Sequence, residues 1–248
     1  MKQGENNFNA KVLEGKHNDL TAFTYVSSHD LQESLRKIQT FSSRILEKEE
    51  KNLSVAGKEY FQRMQIAANR IQNIIEDLNT YSNINNAEKK FEKTDLDMIM
   101  EHVRKDLNNA IVEKKATIET DKFGEAFVIP NQFYLLMFHL ISNSLKYSDP
   151  DKQVHIKIKV KKEVKSNGEK HREHLRIEIS DNGIGFEPKF NDQIFEVFQR
   201  LHSKDEYEGT GIGLAICKKI VENHNGTINA TGQIKKGAHF EVCLPCTI

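Results

Sequence analysis

Three groups of residues in this chain have types and spacings that could do chemistry. The first lies on Asn131–Tyr147, where Phe133, Leu136/Met137, Leu140 and Ser144 recur at helical spacing and mark a buried stripe. His139, Asn143, Lys146 and Tyr147 fall on a different face of that helix. A carboxamide oxygen, an ammonium group and a phenol ring on one patch can serve a metal ion, a phosphate and a flat base; an ordinary solvated helix face has the same make-up. The second group, Asp181-Asn182-Gly183-Ile184-Gly185-Phe186, follows directly on a strand ending at Ser180. A carboxylate there, beside two glycines, can accept a hydrogen bond from an amino group while the backbone closes on a flat ligand. Adenine offers that donor whereas guanine offers a carbonyl, and the mismatched contact costs roughly 1–3 kcal/mol. D-N-G is also ordinary turn chemistry. The third group, Gly209-Thr210-Gly211-Ile212-Gly213-Leu214, opens a helix, so its amides and the positive helix end can meet a phosphate. Its G-x-G-x-G spacing is not a dinucleotide fingerprint, and it lacks the trailing Gly-Lys-Ser/Thr of a P-loop. Each motif alone is weak; their order along the chain is specific.

The elements that must position these groups divide near residue 88. Between Leu20 and Tyr81 there is no proline, and apolar residues recur as Leu31, Leu35, Ile38, Phe41/Ser42, Ile45 and as Tyr60, Met64, Ala67, Ile71, Ile74/Ile75, Leu78, Tyr81. Steps of four and three mark two bundle-type helices joined by the polar Lys48–Ser54, hence an antiparallel hairpin. Two narrow stripes cannot enclose a core, so pairing with a second copy into a four-helix bundle is expected. Extending the stripe back from Leu31 leaves His29 exposed on its flank. A neutral imidazole is a competent nucleophile, and Asp30 can accept the other ring proton, although a lone helical histidine is most often a surface residue.

Past residue 90 the pattern becomes mixed α/β. Thr94 is placed to cap a helix over Asp95–Lys114, with Asp97 in its first turn. Short strands are expected at Ala116–Thr120 and Ala126–Ile129, and Pro130 suits the first position of the Asn131–Tyr147 helix. Val154, Ile156, Ile158 and Val160, then Leu175, Ile177 and Ile179, alternate with polar residues and predict a hairpin about Ser166-Asn167-Gly168. Glu187–Glu208 reads as irregular, followed by a helix over Thr210–Asn223 and strands at Thr227–Ala230 and His239–Leu244. The expected class is α+β multidomain: a helical hairpin forming a dimeric four-helix bundle, then an α/β sandwich with a mixed sheet and helices on one face.

Composition narrows the options. The 248 residues carry 36 Lys+Arg against 36 Asp+Glu, so the formal net charge is zero. This disfavours an electrostatic nucleic-acid binder, and the lysine-dense Lys157–Lys165 reads as the wet face of a strand. No apolar run approaches the ~18 residues of a membrane span, and Phe133–Ile141 is interrupted by His139. Met1–Ala10 has no signal-peptide core. Three cysteines exclude a disulfide scaffold, and Cys243 and Cys246 form a C-x-x-C at a strand end rather than at a helix start.

Taken together, the motifs resemble those of a sensor histidine kinase of two-component signalling, with the catalytic core of the GHKL ATP-binding superfamily, over about residues 20 to 248. His29-Asp30-Leu31-Gln32-Glu33-Ser34-Leu35-Arg36 is similar to the H-box, and its wording to phytochrome-like and PAS-containing kinases. Asn143–Ser148 resembles the N-box, Asp181–Phe186 the first glycine box, Ile194–Arg200 the F-box and Gly209–Leu214 the second glycine box. The resemblance implies autophosphorylation of His29 by ATP, aided by Asp30, and passage of the phosphoryl group to an aspartate of a response-regulator receiver domain. It implies Mg²⁺ at Asn143, phosphate neutralisation by Lys146 and Arg200, Tyr147 beside the base, and Asp181 on the adenine amino group. Gly183, Gly185, Gly209, Gly211, Gly213 and Leu214 would bind nucleotide and flank a lid that Phe195 and Phe198 anchor by packing. Residues 1–19 would be a linker from an upstream sensor region, 20–86 the dimerisation and phosphotransfer domain, and 87–248 the ATP-binding domain. A homodimer, no nucleic-acid partner, no membrane contact by this segment and a cytoplasmic place follow as expectations, the last also for part of a longer sensor.

Three positions depart from the family pattern. His139 stands where a second asparagine is usual, Ser34 where proline is usual, and Glu33 where Thr or Asn is frequent. Ser34 predicts a straighter helix. Glu33 predicts weak phosphatase activity, because a carboxylate repels an acyl phosphate. A GHKL ATPase, or a kinase acting on another residue, would keep the glycine boxes without an exposed histidine before a helical hairpin. A degenerate scaffold is suggested by His139 and Ser34, and opposed by intact Asn143, Asp181 and five glycines.

Overall fold

A computed structural model of the chain describes residues 30–84, 90–167, 170–201, 207 and 209–246, with backbone alone for 165–167 and 170–172. The chain divides after Asn83 into two units. In the first, helix α1 covers residues 30–48 and helix α2 covers Val55–Asn83. Contacts between them run in reverse order. Lys58 Nζ lies 3.1 Å from Glu50 Oε1, Gln65 Nε2 donates to Ser43 Oγ at 2.9 Å, and Gln39 Nε2 donates to Asn69 Oδ1 at 2.7 Å. The pair is therefore an antiparallel hairpin around the buried Leu35, Ala68 and Ile75. Ser54 caps α2 by accepting from the Gly57 amide at 3.0 Å. Ser34 donates its hydroxyl to Asp30 O at 2.9 Å, one turn back, and α1 runs through this point without a break. Much of the apolar stripe stays open: Phe41 is 58 % and Tyr60 65 % exposed, and Leu31, Ile38, Met64 and Ile71 are exposed too.

The second unit is a five-stranded mixed sheet with helices on one face. It comprises β1 (Glu92–Asp95), α3 (Leu96–Asp106), α4 (Asn108–Glu113), β2 (Thr117–Thr120), β3 (Glu125–Val128), α5 (Pro130–Lys146), β4 (His155–Asn167), β5 (Lys170–Asp181), α6 (Gly213–Asn223), β6 (Thr227–Gln233) and β7 (Gly237–Pro245). The sheet order is β2-β4-β5-β7-β6, parallel between β2 and β4 and antiparallel elsewhere. Strand alternation sorts the faces. Ile156, Ile158, Ile177, Ile179, Phe240 and Val242 are buried, as are Phe133, Leu136, Met137 and Leu140 of α5 and Ile216 and Ile220 of α6. The opposite face carries Lys157, Lys159 and Lys161 and the Arg176 cluster, in which Arg176 Nε lies 3.1 Å from Glu178 Oε1 and another guanidinium nitrogen meets Glu241. No helix among the described residues is long and apolar enough to cross a membrane.

Some local expectations shift. Thr94 is not the cap: it lies in β1, which pairs with β3 as a separate two-stranded sheet. Asp95 caps α3 instead, accepting from Asp97 N at 3.0 Å. The helix expected over Asp95–Lys114 is broken at Leu107 into α3 and α4. Residues 210–212 precede α6 outside regular structure, so that helix starts at Gly213. The segment from Glu187 contains two short 3₁₀ turns, Pro188–Phe190 and Gln193–Phe195. All three cysteines are free and buried; burial pushes the Cys217 thiol well above its ordinary value and raises that of Cys246.

Helices α5 and α6 run antiparallel. His139 faces Gly213, Cys217 Sγ points to Leu136 O at 3.8 Å, and the far ends meet through His224. There, Ile129 N donates to His224 Nε2 at 3.0 Å, so the ring carries its proton on Nδ1 and donates it to Ile220 O at 2.8 Å. Replacing this buried ring by alanine orphans the Ile129 amide and opens a cavity. The His224→Ala variant should lose about 2–4 kcal/mol, read as a lower urea midpoint of the second unit.

Candidate functional site

The C-terminal end of α5, the N-terminal end of α6 and the end of β5 enclose a cavity open at its mouth. Asn143, Tyr147, Asp181, Gly185, Arg200 and Leu214 line it together with Phe186, Ile194, Gln199, Leu201, Ala238 and Phe240.

Asp181 is fixed from three directions. Its Oδ1 accepts from the amides of Gly183 and Ala238, each at 3.0 Å, and its Oδ2 accepts from Ser144 Oγ at 3.0 Å. Oδ2 therefore keeps a lone pair for the cavity. Burial raises the carboxyl above its ordinary range, opposed by the three hydrogen bonds. The glycines after it are required by close approach. A Cβ on Gly183 would sit 2.3 Å from Tyr147 O, and one on Gly185, where φ is +63°, would sit 2.0 Å from Gln233 O. Ile184 N donates to Tyr147 O at 3.0 Å and Lys235 N donates to Ile184 O at 2.7 Å. This box is thus clamped between the end of α5 and the β6–β7 turn.

Lys146 and the second glycine box meet beside the cavity. Lys146 Nζ lies 4.2 Å from the centre of the Tyr147 ring, and 2.7 Å from where a Cβ on Gly209 would be. Gly211, with φ of +78°, packs against the Phe198 and Gln199 backbone, and Phe198 N donates to Gly211 O at 3.0 Å. Arg200 donates to Gly209 O and Tyr207 O, both at 2.5 Å, so here its guanidinium holds the loop. Gly213 starts α6, and a Cβ there would sit 3.0 Å from His139 Nδ1, so His139 lies on the cavity end of α5. Phe195 is buried, whereas Phe198 is 55 % exposed with φ of +67°. Only Phe195 anchors the segment by packing; Phe198 holds it through its backbone, in a conformation costly for an aromatic residue.

Among the described residues no group of His, Cys, Asp and Glu could hold a metal by itself. A site built on one carboxamide suits Mg²⁺, which takes few protein ligands and completes its shell with phosphate oxygens and water. Asn143 fits that part, since it lines the cavity and none of its side-chain atoms is hydrogen-bonded to a described residue. His29 lies outside the described residues, and Asp30 is exposed at the first of them. Reading the chain alone missed Ser144 as a partner of Asp181; its polar side chain on an otherwise apolar stripe was the available signal. Ala238 and Phe240 carried none, because the β5–β7 register brings them in.

Residues 19–87 match the His Kinase A (phospho-acceptor) domain, and residues 129–248 match the Histidine kinase-, DNA gyrase B-, and HSP90-like ATPase family. The chain is 33 % identical over 237 residues to Cyanobacterial phytochrome A of Nostoc sp., covering 95 % of this chain and 30 % of that protein. It is 28 % identical over 227 residues to the Sensor protein kinase WalK of Staphylococcus aureus, covering 89 % of this chain and 52 % of that sequence. The chain thus spans about a third of the phytochrome's length. Among solved structures, full-length ShkA in complex with AMPPNP superposes with a TM-score of 0.67 at 16 % identity, covering 91 % of this chain and 46 % of that one. The Acinetobacter baumannii histidine kinase AdeS gives 0.56 at 19 %, covering 87 % and 98 %. At these identities the likeness concerns the fold.

Proposed function

From a chain that belongs to the sensor histidine kinases, we propose ATP- and Mg²⁺-dependent autophosphorylation of His29, with transfer of the phosphoryl group to an aspartate of a response-regulator receiver domain. The observation that carries this reading is the convergence of Asn143, Tyr147, Asp181, Gly185 and Leu214 on one cavity, downstream of a phospho-acceptor hairpin. Asp181 would take the adenine amino group on Oδ2, and Tyr147 would lie along the base. The Gly211–Leu214 turn would present amides and the positive end of α6 to the phosphates. Lys146 and Arg200 would offset phosphate charge as it moves. Asn143 would hold Mg²⁺, which would supply positive charge against the phosphates when bound. Asp30 would take the proton from one nitrogen of the His29 ring while the other nitrogen attacks the γ-phosphorus; the P–N bond forms as the P–O bond to ADP breaks. The open stripe around Phe41 and Tyr60 is assigned to a second copy of the hairpin, giving a homodimer. Residues 20–86 would then serve dimerisation and phosphotransfer, and 87–248 nucleotide binding.

Incubation with γ-labelled ATP and Mg²⁺ tests the reading. The expected label is acid-labile and alkali-stable, maps to the peptide containing His29, and chases onto a receiver domain. Nucleotide binding without label would instead indicate a scaffold, and free phosphate without label an ATPase.

A further inference from the structure

The backbone at residue 232 does not call for glycine. Gly232 lies inside β6, directly opposite Ala238 of β7, and its φ is negative, unlike that of Gly185 or Gly237. A glycine within a strand weakens it and marks a place where something comes close. Here that is an aromatic ring. A Cβ on Gly232 would lie 2.5, 2.6 and 2.7 Å from Cγ, Cδ2 and Cδ1 of Phe186. A point almost equally distant from three carbons of a ring lies above its plane, so Phe186 turns its face to Gly232 and leaves no room for a methyl group between them.

Both sides of this contact are held. Phe186 follows Gly185, which is packed against the backbone of Gln233 and Gly237, and Ile184, whose carbonyl accepts from Lys235 N at 2.7 Å. On the strand side, Ala238 donates its amide to Asp181 Oδ1 at 3.0 Å, and Lys152 Nζ donates to Lys235 O at 2.7 Å in the turn that joins β6 to β7. Phe186 and Asp181 both line the cavity. One cross-strand pair thus serves two walls: Gly232 seats the aromatic ring and Ala238 holds the carboxylate.

We propose that Gly232 is a positioning residue for the nucleotide base: by seating the Phe186 ring flat on β6, it sets the width of the cavity beside Asp181. This rests on the reading of the cavity as an ATP site. With the strand held from behind, a side chain at 232 displaces the ring toward the cavity, and the displaced ring takes space from the base. A ring that merely covered a strand glycine for the benefit of the sheet would respond differently, because ATP affinity would then not depend on whether 232 and 186 match in size.

The test is the ATP dissociation constant of the full chain as parent, Gly232→Ala, Phe186→Leu and the two combined, with the urea midpoint of the second unit recorded for each. Gly232→Ala should weaken ATP binding at least tenfold, and Phe186→Leu, which thins the wall, about threefold. With leucine at 186 the methyl group at 232 refills the wall, so the double variant should bind ATP at least twice as tightly as Phe186→Leu alone. The same substitution at 232 therefore reverses the sign of its effect, which a loss of strand stability does not do. Should Gly232→Ala fail to fold, the comparison of the double variant with Phe186→Leu decides by itself. A double variant that does not fold or binds ATP no better than Phe186→Leu overturns the proposal, as does a folded Gly232→Ala with parental affinity. A parent chain that does not bind ATP overturns the reading of the cavity, and this proposal with it.

Discussion

Replacing Asp181 by asparagine should lower ATP affinity about 10- to 100-fold and shift the preference toward GTP, without weakening the fold. The geometry separates these effects. The asparagine Oδ1 can keep both backbone donors, Gly183 N and Ala238 N. The amide nitrogen then takes the place of Oδ2 and donates to Ser144 Oγ, whose own proton turns to Leu140 O, 3.3 Å away. What changes is the group offered to the ligand: an acceptor facing the adenine amino group becomes a donor, which opposes adenine and accommodates the guanine carbonyl. The pH behaviour follows the same logic. Because burial raises the Asp181 carboxyl, its contribution to stability is full below the ordinary aspartate range and is lost as pH rises through the raised value. Apo Asp181→Asn should therefore melt no lower than the parent at neutral pH. ATP affinity should run the other way in the parent, falling as acid protonates Asp181, and this dependence should flatten in the variant. Calorimetric titration with ATP and GTP across pH checks both; unchanged purine preference would remove Asp181 from the base pocket.

Gly185→Ala should be strongly damaging, costing about 3–5 kcal/mol and abolishing nucleotide binding. Its φ of +63° strains any side chain, and its Cβ would lie 2.0 Å from Gln233 O, 2.7 Å from Gln233 C and 2.8 Å from Gly237 O. None of these is the movable end of a side chain, so the β6–β7 turn must shift, taking with it the Lys235–Ile184 bond and the Ala238 amide on Asp181. Gly124 provides the control. Its φ is +69°, yet nothing lies within 4 Å of its Cβ position, so Gly124→Ala carries only the backbone strain of about 1–2 kcal/mol. Thermal melts and ATP binding of the two variants separate strain from overlap; equal losses would show that close approach is not what selects glycine at 185.

The difference between what could be read in the chain and what could not is one of range. The boxes are local: each keeps its glycines, carboxylate or carboxamide within six residues, and the helix and strand patterns around them have clear periods. The four-residue β1 escaped because its pairing partner, β3, lies thirty residues away and Thr94-Asp95 reads equally well as a helix cap. The break at Leu107 leaves the apolar pattern almost intact, so periodicity does not register it. Ser144 and the Gln132–Asn223 pair lie on apolar faces as isolated polar residues, and only the folded arrangement supplies their partners, 37 and 91 residues distant.

The distribution of thiols gives the molecule an internal asymmetry. Its three cysteines all lie beyond residue 84, buried, and the helical hairpin has none. Thiol modification under native conditions is therefore blind to the hairpin and silent on the surface of the second unit. It registers only openings that expose α6 or the end of β7, and since Cys217 sits in the helix that begins at Gly213, a ligand that tightens that helix would slow the chemistry at a site it never touches.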